Sequence, residues 1–346
     1  MKKLLAVLAL VSIFASCNNK DKPDVSGISV TLKLERFEKD FFAVDTNNLV
    51  NSLSQLRQKY PEFTKDFIQN ILGLPVNYED DTAVQVALKK FLHDYLPIED
   101  SAAKVFQNMN STKKELEDGL KYVKHYFPAY KAPTKLITFV GPMDAYFQAS
   151  LGGYGDVITT NAFAVGLQMH LGKDFSVYRS EMGQALFPLY ISKRFSPEYI
   201  SVNCMKNVID DMFPDKSSGK SLVEQMVEKG KRIYLLDKLM PDADDTLKTG
   251  YSSRQLKGAY ENEGLIWNFF LKNSLVYNTD PSIIKNYIGE SPNTPELGEG
   301  SPGYIGLFVG WQIVKKYMEK QKEVNLTTLM TTDPRNIFED SKYRPK

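Results

Sequence analysis

Apolar residues recur at three- and four-residue spacing along most of the chain, as expected of amphipathic helices packed on a common core. An alternating run at residues 28–34 fits a half-buried strand, and helical spacing then predicts helices over 36–44 and 49–60. Another opens at Pro61, runs through Phe63, Phe67, Ile68 and Leu72, and stops at Gly73. Helices over 82–96 and 111–127 follow, with Asp100-Ser101 and Ser111 as N-cap candidates. The period then changes. Residues 135–140 form a β-rich run closed by Gly141-Pro142, and 146–154 and 156–169 read as strands around the turn glycines Gly152, Gly153 and Gly155. Helical spacing returns after Tyr178, most strongly over 197–212, 221–240, 253–274 and 303–320. The predicted fold class is α+β, mostly helical with a small central β-sheet, in a single domain over residues 28–346.

The N-terminus departs from this pattern. Lys2 and Lys3 precede an apolar run from Leu4 to Phe14, followed by the small residues Ala15 and Ser16 and then Cys17. The run is too short for a bilayer of ~30 Å hydrocarbon and has the layout of a secretory signal. A cysteine directly after the small pair reads as a bacterial lipobox. Residues 1–16 are therefore expected to be a signal peptide and Cys17 a lipid-modified N-terminus, with 17–27 a flexible polar tether carrying Pro23 and Gly27. The expected location is the cell envelope, anchored to a membrane by lipid, with the domain outside the cytoplasm, on the periplasmic side.

Charge and composition remove several function classes. The 346 residues carry 43 Lys and Arg against 42 Asp and Glu, a net charge of +1. The basic residues are scattered rather than gathered on one stretch, so no nucleic-acid footprint is expected. Only two cysteines are present, and with Cys17 lipidated, Cys204 has no disulfide partner and reads as a small buried apolar residue.

The search for chemistry is sparse. None of the three histidines, His93, His125 and His170, stands in a zinc-binding spacing, and no phosphate loop, dinucleotide fingerprint or nucleophile elbow is present. No cofactor and no metal ligand set is read. Four residues are low-ranking cleft candidates: His170 in a glycine-bounded segment, Glu261 and Glu263 one turn before an apolar helix face, and Glu198. Pro197, Glu198 and Ser201 fall where the motif H-E-x-x-H would place histidine, glutamate and histidine, so Glu198 reads either as a remnant of a degenerate zincin-like architecture or as ordinary helix-opening chemistry. Asp242, Asp244 and Asp245 read as a solvated loop with an N-cap. Tyr304, Phe308 and Trp311 are candidates for a partner-facing aromatic patch, although their helical spacing equally suits the core.

Ten short strings, taken in order behind the lipobox, resemble the gliding-motility lipoprotein GldB family. They fall at 126–128, 138–141, 165–172, 194–200, 230–237, 248–251, 262–263 with Trp267, 301–303, 309–314 and 341–343. The family usually carries Asp where Gln168 stands and often Tyr where His170 stands. The resemblance implies an envelope lipoprotein associated with surface gliding, in bacteria that also use type IX secretion, and a distant similarity to predicted zinc peptidases. It implies no established activity and provides no catalytic residue. The expected function is thus a non-catalytic envelope component that binds motility or secretion proteins. The alternative is a zinc-peptidase-like hydrolase or ligand-binding lipoprotein with an unrecognised cleft.

Overall fold

A computed structural model describes residues 22–144 and 155–345; Cys17, the signal segment and the predicted strand at 146–154 lie outside the described residues. The chain runs β1 (Lys33–Arg36), α1 (Phe37–Phe42), α2 (Leu49–Lys59), α3 (Thr82–Val105) and α4 (Asn110–Tyr126), then β2 (Lys135–Phe139), β3 (Asp156–Ile158) and β4 (Ala162–Gly166). The second half is α5 (Ile200–Met212), α6 (Leu222–Leu239), α7 (Ser253–Glu261), α8 (Glu263–Lys272), α9 (Ile305–Lys320) and α10 (Pro334–Ser341), joined by shorter helical turns. The result is a mostly helical α+β molecule with one four-stranded mixed sheet ordered β1-β2-β4-β3. β2 lies parallel to β1 and β4, and β3 runs antiparallel to β4.

Strand alternation divides the core. Ile137, Phe139, Ala162 and Ala164 face an aromatic cluster from the N-terminal helices, where Phe37, Phe41, Phe63 and Phe67 interlock. Leu136, Val140, Phe163 and Val165 face the other way, onto the larger cluster built by α4, α5, α6 and α9. At the centre of that half α6 crosses α9 with backbones touching: a Cβ on Gly310 would stand 1.7 Å from the Met226 carbonyl oxygen, and one on Gly230 would stand 2.1 Å from the Gly310 carbonyl carbon. Only glycine permits this approach.

Several expectations need correction. Asp100 and Ser101 do not start a helix; α3 passes straight through Pro97 and is capped instead by Asp81, whose carboxylate accepts the Ala83 and Val84 N–H groups. Proline forfeits one hydrogen bond, but Leu88 and Leu92 before it and Ile98 and Ala102 after it are buried in the core and hold the helix together. Ser111 lies inside α4 rather than capping it; its hydroxyl donates to Glu115, while the Asn108 side chain accepts the Asn110 N–H. The strand expected at 28–34 shrinks to β1, and 156–169 folds as the β3–β4 hairpin plus the turn Leu167–Met169. The long helix expected over 253–274 breaks at Asn262, whose side-chain amide donates to the Gly258 carbonyl. α6 matches its prediction, opened by a capping box between Ser221 and Glu224.

Candidate functional site

His170 lies at the end of the turn that follows β4 and is sealed from solvent. Its Nε2 is 2.9 Å from both carboxylate oxygens of Asp156, and its Nδ1 is 3.3 Å from the Ser196 carbonyl. Asn203 of α5 donates to the same carboxylate at 3.2 Å, and Asn207 donates to the Asp156 backbone oxygen at 2.8 Å. Both side chains of the His170–Asp156 pair are 1% exposed, and neighbouring Cys204 is buried, its thiol pushed well up by burial and then by Asp156. Every polar group of this set has a partner, and it ties the β3–β4 hairpin to α5.

The other candidates are dispersed. Glu198 is exposed on the single turn Pro197–Tyr199, and Ser201 donates its hydroxyl to Glu115 at 2.6 Å. Glu261 is exposed at the end of α7 beside Lys257, 3.7 Å away. Glu263 accepts the Tyr343 hydroxyl at 2.7 Å and so fastens the C-terminal segment to α8; burial first, and this carboxylate second, push that hydroxyl well above its ordinary pKa. His170 and Glu198 lie around the β3–β4 hairpin and the start of α5, whereas Glu261 and Glu263 lie at the junction of α7 and α8. Tyr304, Phe308 and Trp311 are all buried, so helical spacing decided that question in favour of the core. Among the described residues no group of three or more His, Cys, Asp and Glu side chains is placed to hold a metal ion.

Chemistry outside the four cleft candidates converges elsewhere. Asp237 lies two turns beyond Gly230 on α6, and Trp311 is one residue beyond Gly310 on α9, so the backbone crossing brings the two side chains together. The Trp311 indole N–H donates to Asp237 Oδ2 at 2.8 Å, and Lys248 pairs with Asp237 Oδ1 at 3.0 Å and Asp245 Oδ1 at 3.1 Å. Lys248 is delivered by the helical turn Asp245–Thr249, capped at its start by Asp244 and ended by Gly250 at φ +73°. Burial raises the Asp237 carboxyl above its usual range, with Lys248 pulling it back. Burial also works against the Lys248 ammonium, but the two aspartates outweigh it and its pKa lies above the ordinary value. One turn on from Trp311, the Lys315 ammonium sits 3.3 Å from an indole ring centroid and donates to the Tyr260 hydroxyl at 3.2 Å. Lys238, Tyr122, Tyr126 and the start of the described chain, Lys22-Pro23, complete a cleft of about 440 Å3.

Tyr122 and Pro241 also border a second cleft of about 340 Å3, whose rim carries Glu115, Asp118, Glu198, Asp242 and Asp244 over an apolar floor. Lys22 bridges the two by pairing with Asp242 at 2.6 Å. Glu198 therefore does border a cleft, but without His170, Glu261 or Glu263.

These features define a mostly helical α+β domain with two adjoining charged clefts, in which His170, Glu198, Glu261 and Glu263 are not gathered into one site among the described residues. The chain belongs to the family of the gliding motility protein GldB, whose model matches residues 18–345. No curated protein and no solved structure matches it. The strings that carry the resemblance meet in pairs. The Gly141 N–H donates to Gln168 at 3.0 Å, joining 138–141 to 165–172, and the Glu263–Tyr343 bond joins 262–263 to 341–343. Strings 230–237, 248–251 and 309–314 supply Asp237, Lys248 and Trp311, three groups bound to one another in the wall of the lysine-lined cleft.

Proposed function

We propose that this protein is a lipid-anchored envelope component that supports gliding, the protein secretion associated with it, or both, by binding other envelope proteins and without catalysing a reaction. The observation that carries the reading is the family match across residues 18–345. Two further observations support it. The residue types best suited to catalysis are engaged in fastening the fold, His170 to Asp156 and Glu263 to Tyr343. The match begins one residue after Cys17, where the lipobox reading starts the mature chain. In this reading Cys17 carries the lipid, the tether spans the gap to the membrane, and the folded domain lies on the periplasmic side. No helix among the described residues is long and apolar enough to cross a membrane, and the lipid is the anchor.

The test is in-cell crosslinking of the lipidated protein, followed by affinity purification and identification of what co-purifies. Reproducible recovery of motility or secretion components is expected, together with release of the Cys17→Ala variant from the membrane fraction. Recovery of the bait alone from correctly anchored protein would overturn the partner-binding reading.

A further inference from the structure

The cleft at the ends of α6 and α9 carries more positive charge than its own carboxylates neutralise. Lys22, Lys238, Lys248 and Lys315 line it with only two acidic residues, Asp237 and Asp245. Both aspartates are engaged by Lys248, and the second oxygen of Asp237 accepts the indole N–H. Lys22 is matched by Asp242 from the neighbouring cleft. Lys238 and Lys315 remain. The Lys238 ammonium lies 5.3 Å from the centroid of the Tyr234 ring, and that of Lys315 lies over Trp311 with the Tyr260 hydroxyl as its hydrogen-bond acceptor. Neither forms an ion pair with a carboxylate among the described residues.

We infer that this cleft is a binding site for a phosphate ester, held through Lys238 and Lys315. An ammonium group is a compact point charge with three donors, suited to an oxyanion whose charge is spread over several oxygens in three dimensions. A phosphate offers oxygens to both lysines at once. The Asp237–Lys248–Trp311 network beneath is fully bonded, which fixes the indole on which Lys315 rests and so pre-positions one of the two ammonium groups. Burial lowers the pKa of Lys315 and the nearby Asp237 and Asp245 offset this only in part, a cost that a bound anion would relieve. A volume of about 440 Å3 exceeds what a bare phosphate needs and falls in the range of small-molecule sites, leaving room for an organic group beside Tyr126, Pro23 and Pro241.

The ester has two sources, a phospholipid headgroup or a soluble phosphorylated molecule. The lipid-anchor reading favours the first: five residue steps separate Cys17 from Lys22, a span of at most about 18 Å, so the mouth of the cleft is held near the headgroup layer. The site itself does not depend on that reading.

The experiment uses the full lipidated chain and amine acylation read residue by residue by mass spectrometry, with exposed Lys257 as the internal reference. In phospholipid-free detergent, glycerol 3-phosphate is titrated. In a second arm the protein is placed in phosphatidylglycerol nanodiscs without it. Saturable protection of Lys238 and Lys315 in the first arm with none in the second identifies a soluble ester, and protection in the second, with or without the first, identifies the headgroup. In either case Lys315→Gln should weaken the protection of Lys238 at least ten-fold, and Lys315→Arg should restore it. No protection in either arm, or equal protection of Lys238 in Lys315→Gln, would overturn the assignment. Membrane fractionation of Cys17→Ala is scored separately, so loss of the anchor reading and loss of the site are told apart.

Discussion

Two polar networks inside this molecule are built from similar residue types and end in opposite states. Around His170, a carboxylate, an imidazole and two asparagine amides satisfy one another in a compartment that solvent does not reach. Around Trp311, a carboxylate, an ammonium and an indole do the same, but the network opens on a cleft where two more lysines form no ion pair with a carboxylate among the described residues. The first resembles a catalytic dyad in its residues and acts as a rivet between the β3–β4 hairpin and α5. The second contains no histidine or cysteine, yet it leaves charge available to a ligand. What separates them is whether the last donor finds its acceptor inside the fold.

That comparison breaks most visibly at Asp156. Asp156→Ala would leave the imidazole and an asparagine amide buried without their acceptor, and a loss of about 3 kcal/mol is expected in urea unfolding. Gly310→Ala attacks the crossing that joins Asp237 to Trp311. Its methyl group would overlap the Met226 carbonyl, and a cost of about 3 kcal/mol should appear as a lower Tm.

A pH test sharpens the account of the closed region through Lys206, a buried residue of α5. Burial, with Arg194 adding to it and Glu290 and Asp210 opposing, lowers its pKa to about 7 from 10.5. Between those two values the unfolded chain binds more protons than the folded one, so this residue makes stability rise with pH across that window. Below about pH 7 its full penalty is present. The contribution is up to about 1.4 kcal/mol per pH unit, and urea unfolding at pH 7 and 9 should show the rise shrink in Lys206→Met. The smallest expected effect on stability is Lys315→Gln at the open cleft, within about 0.5 kcal/mol of wild type in the same assay.

The helical skeleton was legible because its apolar spacing is regular, and the helix expected over 221–240 is α6. Pro97 misled because a proline shows only the hydrogen bond it lacks, while the buried residues on either side that outweigh it become visible in three dimensions. α6 also shows why the site was harder to read than the fold. Lys231 and Arg232 look like surface residues in sequence, yet both are buried, Lys231 donating to the Met330 and Thr332 carbonyls and Arg232 paired with Asp210 and Glu228. Lys238, one residue from the end of the same helix, is the cation left at the cleft. The nearby Glu228 does not tell which of the three is buried, because the groups that enclose Lys231 and Arg232, the Met330 and Thr332 carbonyls and Asp210, come from segments distant in the chain. His170 drew notice for its residue type, and its partner Asp156 stands across a hairpin where spacing rules have no reach. Asp237, Lys248 and Trp311 fall in the strings 230–237, 248–251 and 309–314, and Trp311 was also a candidate for a partner-facing patch, but Lys238 and Lys315 lie one residue beyond those strings and drew no notice.

The most direct test of this division between a fold-holding network and a ligand-holding one is thermal unfolding with and without the ester that protects the two lysines, glycerol 3-phosphate in detergent or phosphatidylglycerol in nanodiscs. It would be run on the lipidated wild type, Asp156→Asn and the Lys238→Gln/Lys315→Gln double variant. The account predicts a ligand-induced rise in Tm for wild type, the same rise from a lower starting point for Asp156→Asn, and no rise for the double variant. A rise that survives in the double variant, or that disappears in Asp156→Asn, would contradict it.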